Sequence, residues 1–110
     1  MVRPMTLELM TEDERSLLLF LESRAVDQAG RVKTIHMNAD DMEIAEQWNR
    51  DGFVKFGRIA SEDLNEFGTH WCHLSDEAWG FAAAERKARA GRTWAKRDWK
   101  TTEEKRAHAV

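Results

Sequence analysis

Tyrosine is missing from this chain of 110 residues, and cysteine and proline occur once each. A single cysteine, Cys72, cannot close an internal disulfide, so the fold does not depend on an oxidising compartment. No apolar run approaches the length of a membrane span; the longest is Leu17-Leu18-Leu19-Phe20-Leu21. The N-terminus has no cationic stretch followed by a long apolar region, which is the pattern of a secretory leader. A cytoplasmic location with no membrane partner is the expectation by elimination. A phosphate loop, GxSxG, HExxH and a dinucleotide fingerprint are also missing. The sequence therefore points away from an enzyme, and no cofactor is expected.

What is present reads as one folded domain. Apolar residues make up 42% of the chain and charged residues 34%, a globular rather than a disordered balance. Five Trp and five Phe carry large buriable areas. Trp48, Trp71, Trp79, Phe53 and Phe81 are accordingly expected in the core.

The net charge of −3 hides a strong asymmetry. Residues 85–110 hold nine Lys/Arg against four Asp/Glu, whereas the acids dominate residues 1–84. An acidic body with a basic tail is the leading global signal.

Residues 1–10 contain Pro4 and little periodicity, and read as an irregular arm. Thr11-Glu12-Asp13-Glu14 matches a capping box and starts a helix, with acids placed to suit its dipole. Leu17, Leu18, Leu21 and Ala25 give that helix an apolar face, and Gly30 is placed to end it. Leu19 and Val26 flank that face and either widen it or form a seam for a second copy.

Arg31–Met37 alternates polar and apolar residues and reads as a short strand or extended connector, with Val32, Ile35 and Met37 apolar. Asn38 is a good N-cap for a helix over about 39–51, which Gly52 stops. Phe53–Ile59 and Thr69–Leu74 are rich in aromatic and β-branched residues and predict an antiparallel hairpin with a long loop. Ser75 caps a last helix, with Trp79, Ala82 and Ala83 on one face and Ala78, Phe81 and Ala82 on an adjoining one.

His70, Cys72 and His73, with His36 as a fourth, invite a metal reading. On a strand, however, His70 and Cys72 share one face and His73 takes the other, so the ligands do not converge. Cys72 as a nucleophile needs a depressed pKa and an oriented base, and nothing selects either histidine. Packed or surface side chains are the plainer reading.

Asp40, Asp41, Glu43 and Glu46 form an acidic face on the second helix. Such a face is either solvated, or meets a basic protein partner, or imitates nucleic-acid phosphate. The segment from Arg86 to Arg106 interleaves cations with Trp94 and Trp99, which suits contact with phosphates and bases or with a partner's surface. On a helix these two tryptophans lie about 140° apart and do not share a narrow stripe.

The run Ile44-Ala45-Glu46-Gln47-Trp48-Asn49-Arg50-Asp51-Gly52-Phe53-Val54, then a hairpin, then Leu74-Ser75-Asp76-Glu77-Ala78-Trp79, resembles a shortened winged-helix domain. MarR-like regulators have a similar run of recognition helix, glycine, strand, wing and closing helix. Short phage and prophage proteins are also similar in length and arrangement. The resemblance covers residues 11–84 and implies a DNA-binding fold.

Two departures redirect the functional expectation. Only about eight residues separate Gly30 from the second helix, so the helix-turn-helix pair is incomplete. The helix in the recognition position carries Asp40, Asp41, Glu43, Glu46 and Asp51 against Arg50, and phosphate charge would repel it.

The expected architecture is thus α+β and winged-helix-like, in the order helix, short strand, helix, β-hairpin, helix. Residues 11–91 form the domain and residues 92–110 a basic, tryptophan-bearing tail. The expected function is a non-enzymatic interaction module, protein-binding through Asp40, Asp41, Glu43 and Glu46 or through the tail, in the manner of a phage accessory or anti-host factor. The alternative is a DNA-binding regulator in which Arg58 of the wing and Arg89, Arg92, Trp94, Lys96, Arg97, Trp99 and Lys100 contact nucleic acid. A homodimer is compatible with either.

Overall fold

The computed structural model describes residues 7–64 and 68–96. Leu7–Leu9 forms a 3-10 turn, and Met10 behind it is buried in the core. Helix α1, Glu12–Asp27, then begins at the capping box read from the sequence. The Glu14 N–H donates to Thr11 Oγ1 at 3.1 Å, and Glu14 Oε1 accepts from the Thr11 N–H at 2.9 Å. Leu17, Leu18 and Leu21 point into the core, Leu19 is half-buried, and Val26 remains exposed.

Strand β1 is only Arg31–Val32, followed by a 3-10 turn over Thr34–His36. The alternation through Met37 therefore does not continue as a strand. Val32 is fully buried, but Ile35 is 85% exposed. The Thr69 N–H closes on the Val32 carbonyl at 3.0 Å, where the ladder ends, and six residues later Asn38 already caps the next helix.

Gly30 makes the entry to β1 feasible. Its φ is +85°, and a Cβ there would lie 2.7 Å from the Cys72 carbonyl oxygen. The same approach lets the Cys72 N–H donate to the Gly30 carbonyl at 2.7 Å.

Helix α2, Ala39–Asp51, carries a reciprocal cap between Asn38 and Asp41 and ends in a left-handed C-cap at Gly52. Ala45 and Trp48 face the core. Strand β2, Val54–Arg58, pairs antiparallel with β3, His70–Leu74, and β1 pairs antiparallel with the other edge of β3. The sheet order is β1-β3-β2, so the last strand in the chain lies in the centre. Val32, Val54, Phe56, Cys72 and Leu74 line its inner face. Among the described residues the architecture is α+β, with three α-helices and a three-stranded antiparallel sheet.

Helix α3, Asp76–Lys96, starts at Ser75. The Ser75 hydroxyl accepts from the Ala78 N–H at 3.1 Å and donates to the Phe53 carbonyl at 2.7 Å, which ties this corner to the start of β2. The helix runs on through Gly91 without a break.

Two expected core residues lie elsewhere. Trp71 is 40% exposed and Trp79 is 38% exposed. Cys72 and Leu74 take the inner face of β3, so strand geometry sends Trp71 outward. On α3 the buried stripe is Ala78, Ala82 and Glu85, which leaves Trp79 and Ala83 on the outer side. Trp48 and Phe53 are buried and meet edge to face, with centroids 5.3 Å apart; Phe81, half-buried, lies 5.7 Å from Phe53.

Candidate functional site

The first turn of α1 and the outer side of α2 enclose an open groove of about 630 Å³. Asp40 and Glu43 contribute to it from α2. Asp51, one turn beyond Gln47, extends the acidic wall, and α1 adds Asp13 and Glu14. Ile44, half-buried, supplies apolar surface, and Trp48 lies beneath it with only 1% of the residue exposed. Arg50 is the one cation among the lining residues, and its guanidinium donates to Gln47 Oε1 at 2.8 Å. Gln47 in turn donates to Asp51 Oδ1 at 2.9 Å, which fixes the carboxylate at one end of the groove.

The four acids expected to act together divide. Asp41 is half-buried and occupied by the N-cap: its N–H donates to Asn38 Oδ1 at 2.8 Å, and its carboxylate accepts from the Asn38 N–H at 3.2 Å. Glu46 is exposed but does not line the groove. Asp13 and Glu14 had no place in the expected site, and Asp51, counted among the acids of α2, had not been assigned to it. Helical spacing could have added Asp51 to the α2 face, but α1 joins it only through tertiary packing.

The basic residues of α3 divide as well. Arg89 Nε donates to Glu85 Oε2 at 2.6 Å, and Arg92 Nη2 reaches the same oxygen at 3.0 Å. Arg89 also donates to Ser16 Oγ of α1 at 3.1 Å. Arg86 Nε donates to Glu22 Oε1, and its Nη2 reaches the Leu19 carbonyl. Arg89 and Arg92 thus neutralise a buried carboxylate, and Arg86 and Arg89 clamp α3 to α1, which reduces what they can offer a partner. Burial pushes the Glu85 carboxyl up, but hydrogen bonds and charge from Arg89 and Arg92 outweigh it and hold the group below the ordinary carboxylate range. Glu85 Oε1 is buried without a hydrogen-bond partner among the described residues. Nothing in the sequence marked Glu22 and Glu85 as buried, because acids in a charged helix read as solvated.

Trp94 is 56% exposed near the end of α3, and Lys96 closes the helix. Arg97, Trp99 and Lys100 lie outside the described residues. Arg58, expected as a nucleic-acid contact, is exposed at the end of β2 opposite His70.

His70, Cys72 and His73 are held apart by the strand, as their spacing requires. Cys72 is buried, and its thiol donates to the Leu21 carbonyl at 3.5 Å. Burial pushes the thiol up to about 11, against the opposing influence of Arg24, so almost none of it is thiolate near neutrality. His70 stacks on Phe56 with centroids 5.2 Å apart; burial and then Arg58 hold its pKa below the ordinary imidazole value. His36, beside the Phe20 ring, lies on the 3-10 turn after β1. Among the described residues no three His, Cys, Asp or Glu side chains group closely enough to hold a metal ion. Nor is any described helix long and apolar enough to cross a membrane. Compared with known proteins, the chain matches no family model, no curated protein and no solved structure.

Proposed function

We propose that this chain is a small, non-enzymatic interaction module of winged-helix-like build, and that the α1–α2 groove docks a basic segment of a protein partner. The observation that carries this reading is the groove itself. Five carboxylates (Asp13, Glu14, Asp40, Glu43 and Asp51), of which Glu14 also closes the α1 cap, line the groove around the half-buried Ile44. That combination suits a segment with an apolar anchor flanked by Lys or Arg: the anchor buries while the charges steer and orient it.

The winged-helix-like reading is supported by a helix leading directly into a β-hairpin, and by a sheet in which β3 lies between β1 and β2. The 3-10 turn Thr34–His36 occupies the place where a winged-helix domain has its second helix. α2 then stands in the recognition position with a carboxylate-rich outer side, and major-groove phosphates would oppose its entry. The engagement of Arg89 and Arg92 by Glu85 also weakens the alternative of a duplex-binding regulator.

The test is selection of binding peptides from a random display library with the full-length chain, followed by titration against Asp40→Lys and Glu43→Lys variants. Enriched peptides should combine Lys or Arg with one large apolar residue, and the double variant should weaken them about tenfold or more, the equivalent of losing about 1.4 kcal/mol. Peptides that bind the double variant as well as the parent would refute the groove. Tight, salt-sensitive binding of duplex DNA instead would favour the regulator.

A further inference from the structure

The side of the sheet facing away from the helices has a chemistry opposite to that of the groove. Directly paired residues in neighbouring strands place their side chains on the same face. Trp71 in the central strand is paired with Arg31 on one side and Gly57 on the other, and the next outward pair along the hairpin is Lys55 with His73. None of these residues is acidic, although the chain as a whole is. Lys55 and His73 are exposed, and Lys55 has no ion-pair partner among the described residues. Arg31 is half-buried and donates to the Asp63 main-chain carbonyl at 3.1 Å, which fixes its guanidinium at the edge of the face.

Gly57 explains the pose of the indole. A Cβ at Gly57 would lie 2.9 Å from Trp71 Cζ2 and 3.0 Å from both Cε2 and Nε1. The ring therefore lies across the bare backbone of β2, in space that a side chain would otherwise fill. No aromatic ring of the described residues stacks on it, and 40% of the residue is open to solvent. A large aromatic residue thus lies close against the Gly57 backbone, is 40% open to solvent, and is bordered by cations.

We infer that this sheet face binds an unpaired nucleic-acid strand, with a base stacked on Trp71 and phosphates beside Lys55 and Arg31. The charge selects an anion, and the flat indole selects an unsaturated planar group over a simple polyanion. A paired base offers only its edge, so the surface favours single strands over duplex. The inference concerns a different surface from the α1–α2 groove and does not depend on what occupies that groove.

The test is fluorescence anisotropy of a labelled oligothymidylate titrated with the full-length chain, at about 50 and 200 mM salt, where phosphate contacts weaken sharply. A duplex of equal length is the comparison. Trp71→Ala should reduce affinity about tenfold or more, Trp71→Phe should retain most of it, and Lys55→Glu should weaken binding and flatten the salt dependence. Each variant is first checked for native circular dichroism, and Lys55→Glu keeps the test decisive if Trp71→Ala unfolds. No binding of the oligothymidylate, equal preference for duplex, or binding unchanged by both Trp71→Ala and Lys55→Glu would overturn the inference. The last result would assign any affinity to the basic residues beyond α3.

Discussion

Arg89 lies one helical turn beyond Glu85, and its guanidinium holds a carboxylate that is only 1% exposed. Arg92 reaches the same oxygen, while Arg86 pairs with Glu22 across the α1–α3 contact. A buried carboxylate is strongly disfavoured unless its charge is met, so these arginines are part of the fold before they are part of any surface.

Glu85→Gln should lower stability by about 1–2 kcal/mol, the scale of a lost charge-assisted hydrogen bond, read from urea unfolding near neutral pH. The pH dependence gives a second readout. The folded-state pKa of Glu85 lies below its unfolded value. Its stabilisation is therefore complete above the ordinary carboxylate range and is lost as pH falls through the folded value. The parent should lose stability more steeply than Glu85→Gln over that acidic window, and parallel profiles would remove the role assigned to the pair.

Ser75→Ala should destabilise the chain by about 1–2 kcal/mol, because one hydroxyl both caps α3 and binds the Phe53 carbonyl. Thermal unfolding of the variant checks this. Ser75→Thr, which keeps the hydroxyl, should recover much of the loss.

Gly30→Ala should cost about 2 kcal/mol or more, since it combines a positive φ with a Cβ driven against the Cys72 carbonyl. Gly91→Ala should instead be neutral or stabilising, because its helical site has open space around it. Denaturant midpoints for the two variants should move in opposite directions or differ clearly in size.

These glycines show how unevenly the structure was legible. α2 could be read almost to the residue, because Asn38 and Gly52 define its ends through local geometry. The face of β3 could not. His70, Cys72 and Leu74 alternate with Trp71 and His73, and both sets are plausible inward faces until β1 and β2 pair with the strand. Tryptophan's large area argued for the wrong set. The groove was half visible for a similar reason: Asp40 and Glu43 share a helix face, whereas Asp13 and Glu14 reach the same cleft only when α1 packs beside α2.

Cys72 should resist alkylation in the folded protein. Its thiol is buried, donates to Leu21, and is pushed up to about 11. Iodoacetamide at pH 8 should modify it far more slowly in buffer than in urea, with mass spectrometry as the readout. A raised thiol pKa contributes stability that is present below the unfolded value and lost as pH climbs toward 11. Cys72→Ala should therefore soften the alkaline loss of stability.

Whether the α1–α2 groove takes a basic segment is read residue by residue by amide chemical-shift mapping. A selected Lys/Arg-rich peptide titrated into isotopically labelled full-length protein should shift Asp13, Glu14, Asp40, Glu43, Ile44 and Gln47 together, with the Trp48 indole following. Shifts centred on the sheet or on α3, with those residues unmoved, would contradict docking there.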